Sequence, residues 1–186
     1  MRVVSGSARG RRLRTPPGDE VRPTTDRVRE ATFNALGSLG ALHDASVLDL
    51  FAGSGALGIE ALSRGAAHVT FVDTSPAALA AVRSNLAACG LDDDAEVVRA
   101  DALAHLGRAA GGVDLVLLDP PYAFDRWPEL LELVRAEVIV IESDREVDPG
   151  PRFEVQRIRR YGGTVVTIAA KADRVEHGRA TPEDRS

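Results

Sequence analysis

The stretch VLDLFAGSGALG, residues 47–58, decides the fold. An apolar run of strand length gives way to Gly53, Gly55 and Gly58 and then to a helical pattern, ALGIEALSR (56–64). A strand that ends in a glycine turn and opens a helix lets a ligand approach the main chain at the helix start. Outward from it, apolar runs alternate with helical segments. Strands are expected at VLDLFA (47–52), VTFVD (69–73), EVVRA (96–100), VDLVLLD (113–119) and EVIVIES (137–143). Their continuous apolar character implies burial on both faces, as in a parallel sheet. PAALAAVRSNLAAC (76–89), ALAHLGRA (102–109) and a helix near 127–135 are long enough to serve as crossovers. FEVQRIRR and YGGTVVTIA alternate around a glycine turn and predict an antiparallel hairpin. The fold class is therefore α/β: a doubly wound, mostly parallel seven-stranded sheet with an antiparallel edge.

Before this unit, MRVVSGSARGRRLRTPPG (1–18) reads as a small hairpin, and Thr24 or Thr25 caps a helix through DRVREATFNALGSL. The expected organisation is a basic amino-terminal hairpin or arm over 1–20, one sheet domain over 21–171 and a flexible tail over 172–186. The chain has 186 residues and is 44% hydrophobic, enough for one substantial core. No apolar stretch approaches membrane-spanning length and no leader pattern opens the chain, so a cytoplasmic protein is expected. Cys89 is the single cysteine, and the four histidines lack metal-ligand spacing, so neither a disulfide nor a metal is expected.

The net charge of −5 argues against a polyanionic partner only until its distribution is considered. Arg2, Arg9, Arg11, Arg12 and Arg14 precede the first acid, Asp19, and Arg22, Arg27 and Arg29 follow. Such an arm fits phosphate contacts, or a solvated tail.

The glycine loop alone leaves two cofactors open. Gly53, Gly55 and Gly58 satisfy the dinucleotide spacing, and Asp73, ending the second strand, suits ribose hydroxyls of either NAD or S-adenosylmethionine. Asp49 inside an apolar strand is costly unless it meets a partner, and the ammonium of a methionine moiety, reached through water, is one. Asp101 and Ala102 could receive an adenine edge, or Asp101 could simply cap a helix. Together these favour the sulfonium cofactor.

Asp119, Pro120, Pro121 and Tyr122 follow the fourth strand, which in a doubly wound sheet adjoins the first at the switch point where ligands bind. Two prolines stiffen the segment and remove N–H donors, leaving acceptors. Acceptors suit an exocyclic amine: the Asp119 carboxylate and the Pro120 carbonyl would take its two protons and turn its lone pair outward. Tyr122 could stack on a flipped base.

With DLFAGSGALG and DPPY both present, the chain resembles class I methyltransferases. RPTTDRVREATFN (22–34), GSARGRRL and LFAGSGALGIEALSRGA narrow the likeness, which extends to Ala169, to the bacterial family that methylates guanine N2 near position 966 of small-subunit (16S) ribosomal RNA. The resemblance implies S-adenosylmethionine bound by Asp49, Phe51, Ala52, Gly53, Ser54, Gly55, Asp73, Asp101, Ala102 and Asp119. It implies chemistry at Asp119, Pro120, Pro121 and Tyr122, and RNA contacts at Arg9, Arg11, Arg12, Arg22 and Arg29. The expected substrate is the 16S rRNA within an assembled or assembling 30S subunit, and the enzyme is expected to be a monomer. N6-adenine methylation of DNA or RNA, protein glutamine methylation, an NAD-dependent oxidoreductase and a non-catalytic RNA-binding module are the competing readings. Phe124 and Trp127 could belong to the core or to the substrate site.

Overall fold

The structure is a computed structural model that describes residues 1–16 and 25–172. Pro-Pro-Gly beyond Pro16, Thr24, Arg22 and the tail from 173 lie outside the described residues. The elements follow the alternation the sequence predicts: α1 (Asp26–Ser38), β1 (Ser46–Leu50), α2 (Ala56–Ser63), β2 (His68–Asp73), α3 (Pro76–Cys89), β3 (Ala95–Arg99), α4 (Ala102–Leu106), β4 (Val113–Leu118), α5 (Trp127–Leu133), β5 (Ala136–Ser143), β6 (Phe153–Tyr161) and β7 (Thr164–Lys171). Seven strands form one sheet in the order β3-β2-β1-β4-β5-β7-β6. The first five are parallel; β7 inserts antiparallel between β5 and β6.

Strand alternation sorts the core into two layers. Val47, Leu115, Leu117, Val140, Val166 and Ile168 face α1, α2 and α3, whereas Leu48, Leu50, Val116, Leu118, Ile139 and Ile141 face α4 and α5. The expected burial on both faces holds for β1 and β4 and fails for β3, which is only partly covered. The reason is position: β3 is an outer strand.

Caps set the helix starts. Thr25 accepts from Val28 N–H (3.3 Å), Ser75 from Ala78 N–H (3.3 Å) and Asp101 from Ala104 N–H (3.0 Å), each worth about 0.5–2 kcal/mol. Helix α4 stops at Leu106, short of the expected 109, where Gly107 caps it.

The opening hairpin closes on itself through Val3 N–H to the Arg11 carbonyl (2.9 Å), Gly10 N–H to the Val3 carbonyl (2.9 Å) and Leu13 N–H to the Met1 carbonyl (3.1 Å), with an antiparallel bridge at Arg2 and Arg12, and it also binds the body. Ser7 N–H donates to the Ser63 carbonyl (2.8 Å), Ala8 N–H to Ser63 Oγ (3.0 Å), and Val4 and Ser5 N–H to the Glu60 carboxylate (2.7 and 3.0 Å). Gly6 sits at φ +84° so close to α2 that a Cβ would lie 1.7 Å from the Ser63 carbonyl oxygen. Val3, Ala8 and Leu13 complete the core layer beneath. Among the described residues, no helix is long and apolar enough to cross a membrane.

Candidate active site

Because Val47 and Asp49 share a face of β1, the Asp49 carboxyl lies under α2. It is 1% exposed and accepts from Gly58 N–H at 2.9 Å. Burial pushes its pKa up to about 8; the Gly58 hydrogen bond opposes this and the nearby Asp73 charge adds to it. A buried acid held this way is poised for a cationic partner. Gly58 is fixed by space: a Cβ there would lie 2.3 Å from Phe71 Cε1 and 2.9 Å from Asp49 Oδ2.

Beyond Leu50 the chain turns sharply, with Phe51 at φ +62°, Gly53 at +54° and Gly55 at +77°. A phenylalanine in the left-handed region costs roughly 1–3 kcal/mol and needs support from its surroundings. Its ring meets Phe124 edge-on at 5.2 Å. Ala52 N–H donates to the Val72 carbonyl, and Gly55 N–H closes the turn on the Ala52 carbonyl.

Asp73 ends β2 with one carboxylate oxygen accepting from Gly53 N–H (2.9 Å) and the other from Ser75 N–H (2.8 Å). Both oxygens are thereby oriented, and each keeps acceptor capacity. Asp101 realises its capping alternative at the start of α4, with Ala102 buried beside it. Phe51, Val72, Asp73, Asp101, Ala102, Leu103, Pro121 and Phe124 line one cleft of about 400 Å³ at the carboxyl ends of the strands, within the usual span of small-molecule sites, roughly 300–1,000 Å³. An acidic rim beside an apolar slot between Leu103 and Phe124 fits a nucleoside carrying ribose hydroxyls.

Of the tetrapeptide, Pro121 lines the same cleft, and Asp119 directly follows β4, the neighbour of β1. Asp119 is half-buried, Pro120 buried, and Tyr122 46% exposed. Phe124 N–H donates to the Pro121 carbonyl at 2.8 Å, closing a turn directly after Pro120. Phe124 and Trp127 divide the two roles open to them: Trp127 is 7% exposed in the α5 core, and Phe124 rests edge-on against it while lining the cleft. Sequence reasoning missed Arg145, whose Nη2 donates to the Phe124 carbonyl (3.2 Å) from the loop after β5. No spacing signal marks it among the other arginines.

A larger cleft, about 1,020 Å³, opens at the opposite end of the sheet around Asp114, Arg135, Glu137, Arg152 and Lys171. Its charged groups are already engaged. Lys171 pairs with Glu137, Asp114 with Ser46, and the Arg135 and Arg152 guanidinium groups with main-chain carbonyls. Ligands of open α/β sheets bind at the other edge, where the strand order reverses.

The arm arginines separate by burial. Arg9, Arg11 and Arg12 are exposed, and among the described residues none of them meets a carboxylate. Arg22 lies outside the described residues. Arg29 requires a correction: expected at the RNA, it is fully buried, bonded to Asp26 (2.9 Å) and the Arg2 carbonyl and 3.7 Å from the buried Glu60 carboxylate. The hairpin folds over it and takes its guanidinium on the Arg2 carbonyl, so Arg29 anchors the hairpin and cannot reach solvent phosphate.

Asn85 of α3 is a second residue that the reading missed. Only 1% exposed, it accepts from Arg14 N–H (2.8 Å) and donates to the Arg14 carbonyl (2.9 Å) and the Ser54 carbonyl (2.8 Å). One amide thus joins the end of the hairpin to the glycine loop. A polar residue in step with Leu79, Val82 and Leu86 was the available signal.

Residues 1–170 match the family model described as conserved hypothetical protein 95. The chain belongs to that family. A Bacillus subtilis relative named "Putative rRNA methyltransferase YlbH" is 45% identical over 184 residues, covering 92% of this chain and 99% of the relative. Ribosomal RNA small subunit methyltransferase D of Escherichia coli K12 is 38% identical over 155 residues, 81% of this chain and 77% of that protein. A solved structure titled "Putative methyltransferase yhhF from Escherichia coli" superposes with a TM-score of 0.81 at 34% identity, covering 92% and 97% of the two chains. This family member is a methyltransferase that uses S-adenosylmethionine.

Proposed function

We propose that the chain transfers the methyl group of S-adenosylmethionine to the N2 amine of a guanine in 16S rRNA, acting in the cytoplasm on an assembled or assembling small subunit. The observation that carries this reading is the DPPY turn at the end of β4, next to the glycine loop that ends the paired strand β1, with Pro121 and Phe51 lining one cleft. Two relatives named for ribosomal RNA methylation support the substrate class; the guanine comes from the resemblance in RPTTDRVRE and the basic hairpin.

In this reading Asp49 faces the methionine ammonium and Asp73 holds the ribose. Asp101 and Ala102 meet the adenine edge, and Phe51 to Gly55 shape the loop around the ligand. The bound cofactor supplies an electrophilic methyl on a sulfonium. Asp119 and the Pro120 carbonyl accept hydrogen bonds from the two amine N–H groups and aim the nitrogen lone pair; Asp119 would take the proton lost as the N–C bond forms and the S–C bond of the sulfonium breaks. Tyr122, on the rim, stacks on the flipped base, worth about 1–3 kcal/mol in single-strand systems. Positioning and exclusion of water do most of the work, without a covalent enzyme intermediate. Arg9, Arg11, Arg12 and Arg22 contact phosphates.

Labelled methyl should pass to small subunits that lack the modification and not to duplex DNA. Equal labelling of DNA would move the reading to an adenine-amine methyltransferase.

A further inference from the structure

Charge is segregated along this chain. Residues 1–29 and 152–160 hold twelve of the 23 basic residues and only four of the 28 acidic ones. The first segment contains the hairpin already placed at the RNA. The second is β6, an outer strand whose residues 154–160 are all exposed. Edge strands need charge to discourage pairing with other chains, but either sign serves that purpose. Here Arg152, Arg157, Arg159 and Arg160 outnumber a single acid, Glu154, on an acidic protein.

The register shows where these side chains point. Phe153 to Val155 pair with Lys171 to Ala169 of β7; an irregularity then brings Arg157, not Gln156, opposite Ile168, and Arg159 opposite Val166. The inserted residue inverts the facing of everything after it. Directly opposed residues share a face, so Arg157 and Arg159 lie with Ile168 and Val166, on the side of α1 and the hairpin core residues Val3, Ala8 and Leu13. Tyr161, next in the same alternation, packs against that layer. Without the bulge both arginines would stand on the α5 face.

Among the described residues, neither Arg157 nor Arg159 meets a carboxylate; Arg160, on the opposite face, pairs with Glu146 (3.4 Å), and the Arg152 guanidinium donates to the Leu131 carbonyl. Because β6 runs parallel to β4 and β5, its basic end reaches the edge that carries Asp119. Three strand intervals separate β4 from β6, roughly 14–15 Å at the usual spacing.

We infer that Arg157 and Arg159 form a second phosphate-binding rail, holding the RNA backbone that runs from the target nucleotide across the α1 face toward the hairpin. This inference rests on the RNA reading above and adds a contact that the basic arm does not supply. The experiment compares the parent with an Arg157→Ala/Arg159→Ala double variant and with Arg160→Ala, titrating naked small-subunit rRNA and unmethylated small subunits over a range of salt. The double variant should bind rRNA about tenfold or more weakly at low salt, with the slope of log K against log salt shallower by about 1.4–1.8, the counterions of two phosphates. Its melting temperature and S-adenosylmethionine affinity should match the parent, and Arg160→Ala should keep the parental slope. Parental affinity and slope in the double variant overturn the rail while leaving the methyltransferase reading intact. A parent that neither binds nor methylates RNA removes that reading itself, and the rail with it.

Discussion

At the carboxyl edge of the sheet, residue identity and role coincide, whereas in the amino-terminal hairpin they come apart. Gly58 has no space for a Cβ, and Asp49 is the acid that Gly58 N–H needs. In the hairpin region, residues of one type do opposite things: Arg11 and Arg12 stand in solvent, while Arg29 is sealed beneath the hairpin with Glu60. Chemistry that requires a particular geometry leaves a motif; charge alone does not say whether it faces a ligand or the core.

The contrast breaks most sharply at Asp119. Asp119→Ala should lower methyl transfer by on the order of 10³-fold or more while leaving cofactor affinity within roughly tenfold, about 1.4 kcal/mol. Single-turnover transfer and equilibrium binding measure the two separately, and an active variant would remove the tetrapeptide from the chemistry. Next in size, Glu60→Ala takes the buried carboxylate from Arg29, which keeps Asp26, and from Arg64, and strips two hairpin N–H groups of their acceptor. Breaking such a buried pair costs about 3–5 kcal/mol, readable by urea unfolding, whereas Arg11→Ala should stay within about 0.5 kcal/mol of the parent. Equal effects would erase the distinction between anchor and contact.

Asp49 gives a pH signature. Its folded pKa, about 8, lies above the ordinary carboxyl value of 3.8, so the folded protein holds a proton that the unfolded chain releases. Stability from this group is fully present below about 4 and is lost as pH rises to about 8. Asp49→Asn should therefore gain stability over the parent across that window in thermal melts without cofactor, and should bind S-adenosylmethionine poorly. A constant difference in melting temperature would show that Asp49 does not titrate there.

Asn85→Ala tests the link between the two regions. Losing the amide leaves the Ser54 and Arg14 carbonyls unmet, so cofactor affinity should fall by about tenfold, consistent with about 1–3 kcal/mol for an unsatisfied buried group. Unchanged affinity would confine Asn85 to anchoring the hairpin. The smallest effect is expected for Arg11→Ala with Arg12→Ala: weaker RNA binding and a salt slope shallower by about 1.4–1.8. An unchanged slope would return these arginines to plain solvation.

The sheet was legible because buried parallel strands must be apolar in runs, and VLDLFA and VDLVLLD are. The glycine loop was legible because turn geometry restricts residue types, and the place of DPPY because it closes a buried strand. Asp101 was ambiguous in sequence and proves to cap α4, since a cap and a cofactor contact call for the same carboxylate. Arg29 was misread because its inward facing depends on the hairpin folding over α2, a long-range contact that local spacing does not encode. Arg145 and the β6 bulge were invisible for the same reason: only the register of the assembled strands gives them their places.

The central claim is that the DPPY turn presents the exocyclic amine of an RNA guanine to the cofactor bound at the β1 loop. Mass mapping of nucleotides after reaction with unmethylated small subunits tests it most directly. A single N2-methylguanine in the small-subunit rRNA is the predicted product; methyl on an adenine amine, or none on the RNA at all, would contradict it.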